Sequence, residues 1–219
     1  MKEHPIIFST EMVKAILEGR KTMTRRVVKD PRRKMPENPI AAFGNGHGRL
    51  YSIGDMQYEA SHPEKPNFPC PYGQVGDHLW VRETFAPREM MSGKAEIAYK
   101  ADGGQLPSYL LGDKEIPCYW KPSIHMPRWA SRITLEITNI RVERLQEITN
   151  DDAFKEGMTR ELASKLGISV SPSEEEFNLT QTRRVFIDLW DSINAKRGYS
   201  WESNPWVWVI EFKVLPNEH

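Results

Sequence analysis

Short apolar and polar runs alternate along this chain, and their periods predict a mixture of strands and helices. Residues 5–8 (PIIF) read as a short strand. Ser9 or Thr10 then caps a helix whose apolar positions, Met12, Val13, Ile16 and Leu17, form one buried stripe. Gly19 ends that helix at the position favouring a left-handed backbone. The segment RKTMTRRVVK (20–29) carries β-branched residues suited to a strand. GDHLWVRETF (76–85) gives a turn and a strand, with Leu79, Val81, Glu83 and Phe85 on one face and Trp80, Arg82 and Thr84 on the other. AEIAYKA (95–101) is a further strand. Residues 132–148 form a long strand or strand pair whose alternation shifts register near Asn139. Thr149 and Asp152 make a capping pair for a short helix, 151–157, closed by Gly157. A longer helix builds from about Ser173 with Phe186, Leu189, Trp190 and Ile193 at helical spacing, and stops at Gly198. The last strand, 206–215, shows Trp206, Trp208, Ile210, Phe212 and Val214 on one face.

Three stretches interrupt this order. Residues 30–75 hold seven prolines and the cluster FGNGHG, so they read as a long insertion with one hairpin around Leu50–Glu59. Residues 102–127 are again rich in Pro and Gly, and 159–182 is a polar, loosely helical excursion. No Gly/Ser-rich linker or repeat divides the chain, which predicts a single domain over 1–219. The order of elements predicts an α+β fold: a small mixed β-barrel flanked by helices.

Composition adds limits. The 219 residues are 39% apolar, enough for one sizeable core. With 30 basic and 30 acidic residues the net charge is zero, so any attraction for nucleic acid must be local. The opening MKEHPIIFST has no long apolar run of a signal peptide, and no stretch reaches the length of a membrane span. Cys70 and Cys118 are too few for a disulfide framework and are expected as free thiols in a reducing cytoplasm. Together with His62, His78 and His125 they match no standard zinc spacing, so no metal and no cofactor is expected.

Local charge is concentrated after the first helix. Between Arg20 and Lys34 stand eight basic residues and one acid, Asp30. Strand alternation places Lys21 and Arg25 on one face, and Thr24 and Arg26 on the other, unless the turn after Gly19 breaks it. A solvated basic strand is the plain alternative.

Gly19, Lys21, Thr24 and Arg26 match the pattern GxKxxTxR, and with it the chain resembles the ASCH family of PUA-like domains. The likeness continues through CPYGQVGDHLWVRETF, SIHMPRWASR, the DDAFKEG helix and NPWVWVIEF, and is to the larger ASCH proteins of phages, prophages and bacteria. It implies a PUA-like mixed β-barrel with insertions near 30–75, 102–127 and 159–182. It also implies RNA or a modified nucleoside as partner, held by Gly19, Arg20, Arg25 and Arg26. Some small ASCH proteins are amidohydrolases acting on N4-acetylcytidine. By motif position their catalytic Lys, Thr and Glu correspond to Lys21, Thr24 and Glu156.

That chemistry is coherent. A threonine hydroxyl needs a base to become a nucleophile, and a buried lysine amine can serve. Glu156 would move a proton or orient Lys21, and Arg26 would stabilise an oxyanion. The alternatives are a non-catalytic RNA or modified-base binding module, in which Lys21 and Arg26 hold phosphate, or a ribonuclease. Thr24 as a plain strand residue and Glu156 as an exposed helix end belong to the first. Trp80, Arg82 and Glu83 complete the expected binding residues. Trp80 is a stacking surface, and Glu83 is a carboxylate on an apolar face that must line a cleft or join an ion pair. The same choice between core and stacking applies to Trp120, Trp129, Trp206 and Trp208.

Overall fold

The computed structural model describes residues 1–29, 40–42, 49–51, 70–89, 95–103, 106, 108–111, 114–177 and 181–216. Strand β1 (Glu3–Ile7) leads into helix α1 (Thr10–Leu17). Ser9 caps α1 by accepting from the Met12 amide at 3.4 Å. Strand β2 (Met23–Val27) follows, then a hairpin of β3 (Ile40–Ala42) and β4 (Arg49–Tyr51). The hairpin expected around Leu50–Glu59 lies mostly outside the described residues. Strand β5 (His78–Arg82) returns beside β1.

The strand predicted to run on to Phe85 instead breaks at Glu83. The last bond of its ladder is Phe8 N–H to Arg82 O, 3.2 Å, and the Glu83 side chain turns to an arginine. Phe85 then opens a separate hairpin of β6 (Phe85–Glu89) and β7 (Ala95–Tyr99), followed by another of β8 (Ser108–Leu111) and β9 (Lys114–Pro117). Strand β10 (Thr134–Arg144) carries the register shift between Ile137 and Asn139. Helices α2 (Asn150–Lys155), α3 (Arg160–Lys165) and α4 (Thr182–Asn194) precede strand β11 (Trp206–Val214). Ser173 caps a helical turn, Glu174–Glu176, and helical backbone is described again from 181 into α4; residues 178–180 lie outside the described residues. The buried face of α4 is Thr182, Val185, Phe186 and Trp190, while Ile193 is half exposed.

Five strands form one mixed sheet in the order β1-β5-β10-β11-β2, with β1 and β5 parallel and the other pairs antiparallel. Strand β11 lies between two neighbours, and Val207 through Ile210 are buried without interruption. The single apolar face expected for it is therefore two, because core residues cover both sides. Leu79, Leu135, Ile137, Ile210 and Phe177 belong to the same core, which also takes in α1 and α4. Asp77 ties the start of β1 to that of β5: its carboxylate accepts the Lys2 amide at 2.7 Å and the Gln74 amide at 3.1 Å.

The fold is thus α+β with a five-stranded mixed sheet. No hydrogen-bonded ladder closes it into a barrel among the described residues. Its edge strands are nevertheless bridged, because Arg26 of β2 donates a guanidinium proton to Ile7 O of β1 at 2.8 Å.

Candidate functional site

The turn after α1 sets the site. Gly19 adopts φ +72°, and the Arg20 and Lys21 amides both donate to Ala15 O at 2.9 Å. The Thr22 amide then bonds Lys155 O at the end of α2, and Thr22 O accepts from Phe212 of β11, both at 2.9 Å. Lys21 is therefore locked between α1, α2 and the sheet, with its side chain directed inward and 2% exposed. Gly157 makes room for it. At φ +88° it takes the left-handed conformation that Gly tolerates, and a Cβ there would lie 3.0 Å from Ala15 Cβ and 3.3 Å from Lys21 Cβ.

The Lys21 ammonium donates to Glu156 Oε2 at 2.7 Å, to Glu156 O at 2.8 Å and to Met23 O at 2.8 Å. Glu156 is itself buried. Its second oxygen, Oε1, accepts from Arg25 at 3.4 Å. Arg25 also grips Glu143 Oε1, at 3.1 Å through Nε and 2.5 Å through Nη2, and Asp152 Oδ2 at 2.8 Å. Arg141 braces the outer side, reaching Glu143 at 3.0 Å and Asp152 at 3.4 Å, and pairs with Glu211. Burial lowers the Lys21 pKa, and the pull of Glu156 only partly offsets it; Arg25 and Arg26 push the same way as burial. Arg25 is also penalised by burial, but Glu156, Glu143 and Asp152 together raise its pKa.

Thr24 and Arg26 occupy the opposite face of β2 from Met23 and Arg25. Thr24 is buried, and no hydrogen bond joins its hydroxyl to a described residue. The half-buried Arg26 guanidinium lies 5.1 Å from the Phe8 ring centroid, and the Lys21 ammonium 5.5 Å from the same ring. Phe8 is thus the floor on which both cations of the GxKxxTxR pattern meet. Tyr72 stands near Arg26: burial raises its phenol pKa, and the guanidinium works against that rise.

The other expected residues lie elsewhere. Gly19 is part of the turn, and Arg20 faces outward, paired with Glu18 at 2.8 Å through Nε. Glu83 is buried in a second ionic cluster. It accepts from Arg132 at 2.9 and 3.2 Å, and Arg132 also pairs with Asp102 at 2.7 Å and lies 3.9 Å over the Tyr99 ring. Burial raises the Glu83 pKa against the pull of Arg132. No hydrogen bond links Glu83 to Lys21, Arg26 or Glu156 among the described residues. Arg82 lies 5.4 Å over the half-exposed Trp80 ring and donates to Ile124 O. Trp208 is core, Trp206 lies 4.3 Å beneath the Arg144 guanidinium, and Trp129 is exposed. Among the described residues no three His, Cys, Asp or Glu side chains are grouped to hold a metal, and no helix is long and apolar enough to cross a membrane.

The structure therefore brings together Lys21, Arg26 and Glu156, keeps Thr24 on the same strand, and makes Arg25 part of the charge cluster. Sequence reasoning missed Phe8, Tyr72 and Glu143, which carry no spacing signal because they come from separate elements, and read Asp152 only as the capping partner of Thr149. Gly157 was visible only as a helix end.

No family model and no curated protein matches the chain. Among solved structures it is similar to an ASCH domain from Lactobacillus crispatus JV V101, with 12% identity over 97% of this chain and 79% of the other, and a TM-score of 0.39.

Proposed function

We propose that the chain is an ASCH-type, PUA-like domain that binds RNA or a modified nucleoside and removes the acyl group from an N4-acylated cytidine. The observation that carries this reading is the buried Lys21–Glu156 pair at 2.7 Å, whose ammonium also touches the carbonyl of Met23, one residue before Thr24. A lysine enclosed in this way, with its pKa lowered by burial, is the kind of base that can take a hydroxyl proton.

In the proposed reaction the Thr24 oxygen adds to the acyl carbonyl carbon as its proton passes to neutral Lys21. The carbon–nitrogen bond breaks, and Lys21 gives that proton to the departing exocyclic amine. Water then adds to the Thr24 ester, losing a proton to Lys21. Lys21 returns it to the Thr24 oxygen as the carboxylic acid leaves. Arg26 stabilises the oxyanion in both halves, and Glu156 orients Lys21. A turnover assay on N4-acetylcytidine tests this. Lys21→Ala and Thr24→Ala are each expected to lose at least about 100-fold in rate. A well-folded wild type that leaves the substrate intact overturns it.

A second reading, a binding module without turnover, is favoured by the saturation of Lys21. An ammonium has three N–H donors, and all three are used by Met23 O, Glu156 O and Glu156 Oε2. Salt-dependent RNA binding by the wild type, retained in Thr24→Ala and without product formation, would select it.

A further inference from the structure

We infer that Arg25 is a positioning residue that allows Lys21 to give up its proton, by keeping the Glu156 carboxylate compensated when Lys21 is neutral. This rests on reading Lys21 as a base. In an isolated buried Lys–Glu pair, deprotonating the lysine strands a bare carboxylate in a medium of low dielectric. Glu156 is not in that position. It offers Oε2 to Lys21 at 2.7 Å and Oε1 to Arg25 at 3.4 Å. A guanidinium keeps its proton in proteins, so the second cation is permanent.

Arg25 is also held in place. Its side chain is fully buried between Glu143, Asp152 and the Phe186 ring, whose centroid lies 5.9 Å from Cζ. The charges facing Lys21 are Glu156 from the end of α2 and Arg25 and Arg26 from β2; α1 offers Ala15, and the turn after β1 offers Phe8. One carboxylate thus stands against two guanidiniums, so Glu156 keeps a cationic partner when Lys21 is neutral. Glu143 and Asp152 are in turn shared with Arg141, so Arg25 is not claimed wholly by them.

The test is an NMR titration of Lys21 in protein labelled with 13C,15N-lysine, the signal assigned by its loss in Lys21→Arg. Arg25→Met is expected to raise the proton affinity of Lys21 at least tenfold, about one pH unit. Arg25→Lys is expected to bring it back to within about threefold of wild type, since the charge returns without the bidentate grip. Glu143→Gln frees Arg25 for Glu156 and is expected to lower the affinity. An unmoved midpoint in a folded Arg25→Met protein overturns the inference. If that variant does not fold, an unmoved or raised midpoint in Glu143→Gln does so. The titration needs no substrate. A shifted midpoint in a protein that never deacylates cytidine would retain the role of Arg25 and remove the hydrolase reading. Turnover with an unmoved midpoint would do the reverse.

Discussion

Lys21 Nζ and Glu156 Oε2 lie 2.7 Å apart although 135 positions separate the two residues along the chain. The contact forms where the turn after α1 is stitched to the end of α2 by the Thr22–Lys155 backbone bond. It joins the first helical unit to the last third of the protein, and its charges are buried on both sides.

Removing one partner from such a pair should therefore be costly. Lys21→Met leaves Glu156 with Arg25 as its remaining cationic partner, and a loss of about 1–3 kcal/mol is expected from the hydrogen bonds that the ammonium gave up. The double variant Lys21→Met/Glu156→Gln should lose clearly less than the sum of the two single changes. Urea unfolding of the four proteins measures this, and strict additivity would show that the two side chains are not energetically coupled.

Gly157 and Gly19 share a left-handed backbone but differ in surroundings. An added Cβ meets Ala15 and Lys21 at Gly157 and nothing within 4 Å at Gly19. Gly19→Ala should cost only the backbone penalty, about 1–2 kcal/mol. Gly157→Ala should cost more and should also move the Lys21 side-chain signals in NMR spectra. Equal losses for the two variants would mean that Gly157 does not shape the lysine site.

Alkaline pH should weaken the fold through Cys70. Burial pushes this thiol from 9.0 up to about 12. The unfolded chain therefore releases the proton first, the folded state binds more protons in that window, and stability falls as pH rises between these values. Lys21 works in the opposite sense. Its lowered pKa means that the folded state sheds its proton before the unfolded chain does, so this group adds stability as pH rises towards 10.5. Cys70→Ala should make the alkaline decline shallower in chemical denaturation; an unchanged slope would assign the loss to other groups.

The bridge between sheet edges can be tested through Arg26. Arg26→Met removes the bond to Ile7 O and the stacking on Phe8. A loss of roughly 1–2 kcal/mol is expected. Faster amide hydrogen exchange should be confined to β1 and β2, with β10 and β11 still protected. Exchange that is unaltered at Phe8 would show that the edges hold together without the guanidinium.

Much of the local structure could be read from the chain. The caps at Ser9 and Thr149, the glycine stops at Gly19 and Gly157 and the bulge beside Asn139 all depend on neighbours within a few positions. The break at Glu83 could not be read, since Glu83 continues the alternation of Leu79 and Val81. Only the approach of Arg132, 49 positions later, shows why the ladder stops there.

At the site, the density of basic residues after Gly19 marked where chemistry could lie, and the pattern Gly19, Lys21, Thr24, Arg26 named three side chains that share one strand and its entry turn. Residue type and spacing suffice for that, because a turn and a strand fix the directions of side chains only a few positions apart. Which charges are buried, and against what, was decided by the tertiary structure alone. Arg25 was expected to hold RNA or a nucleoside beside Arg20 and Arg26, whereas in the structure Glu143, Asp152 and Glu156 converge on it from β10 and the end of α2. Glu83 and Glu156 are both buried carboxylates, yet one answers to Arg132 and the other to Lys21. The partner of a buried charge is set by the packing of elements distant in sequence, and no local pattern encodes it.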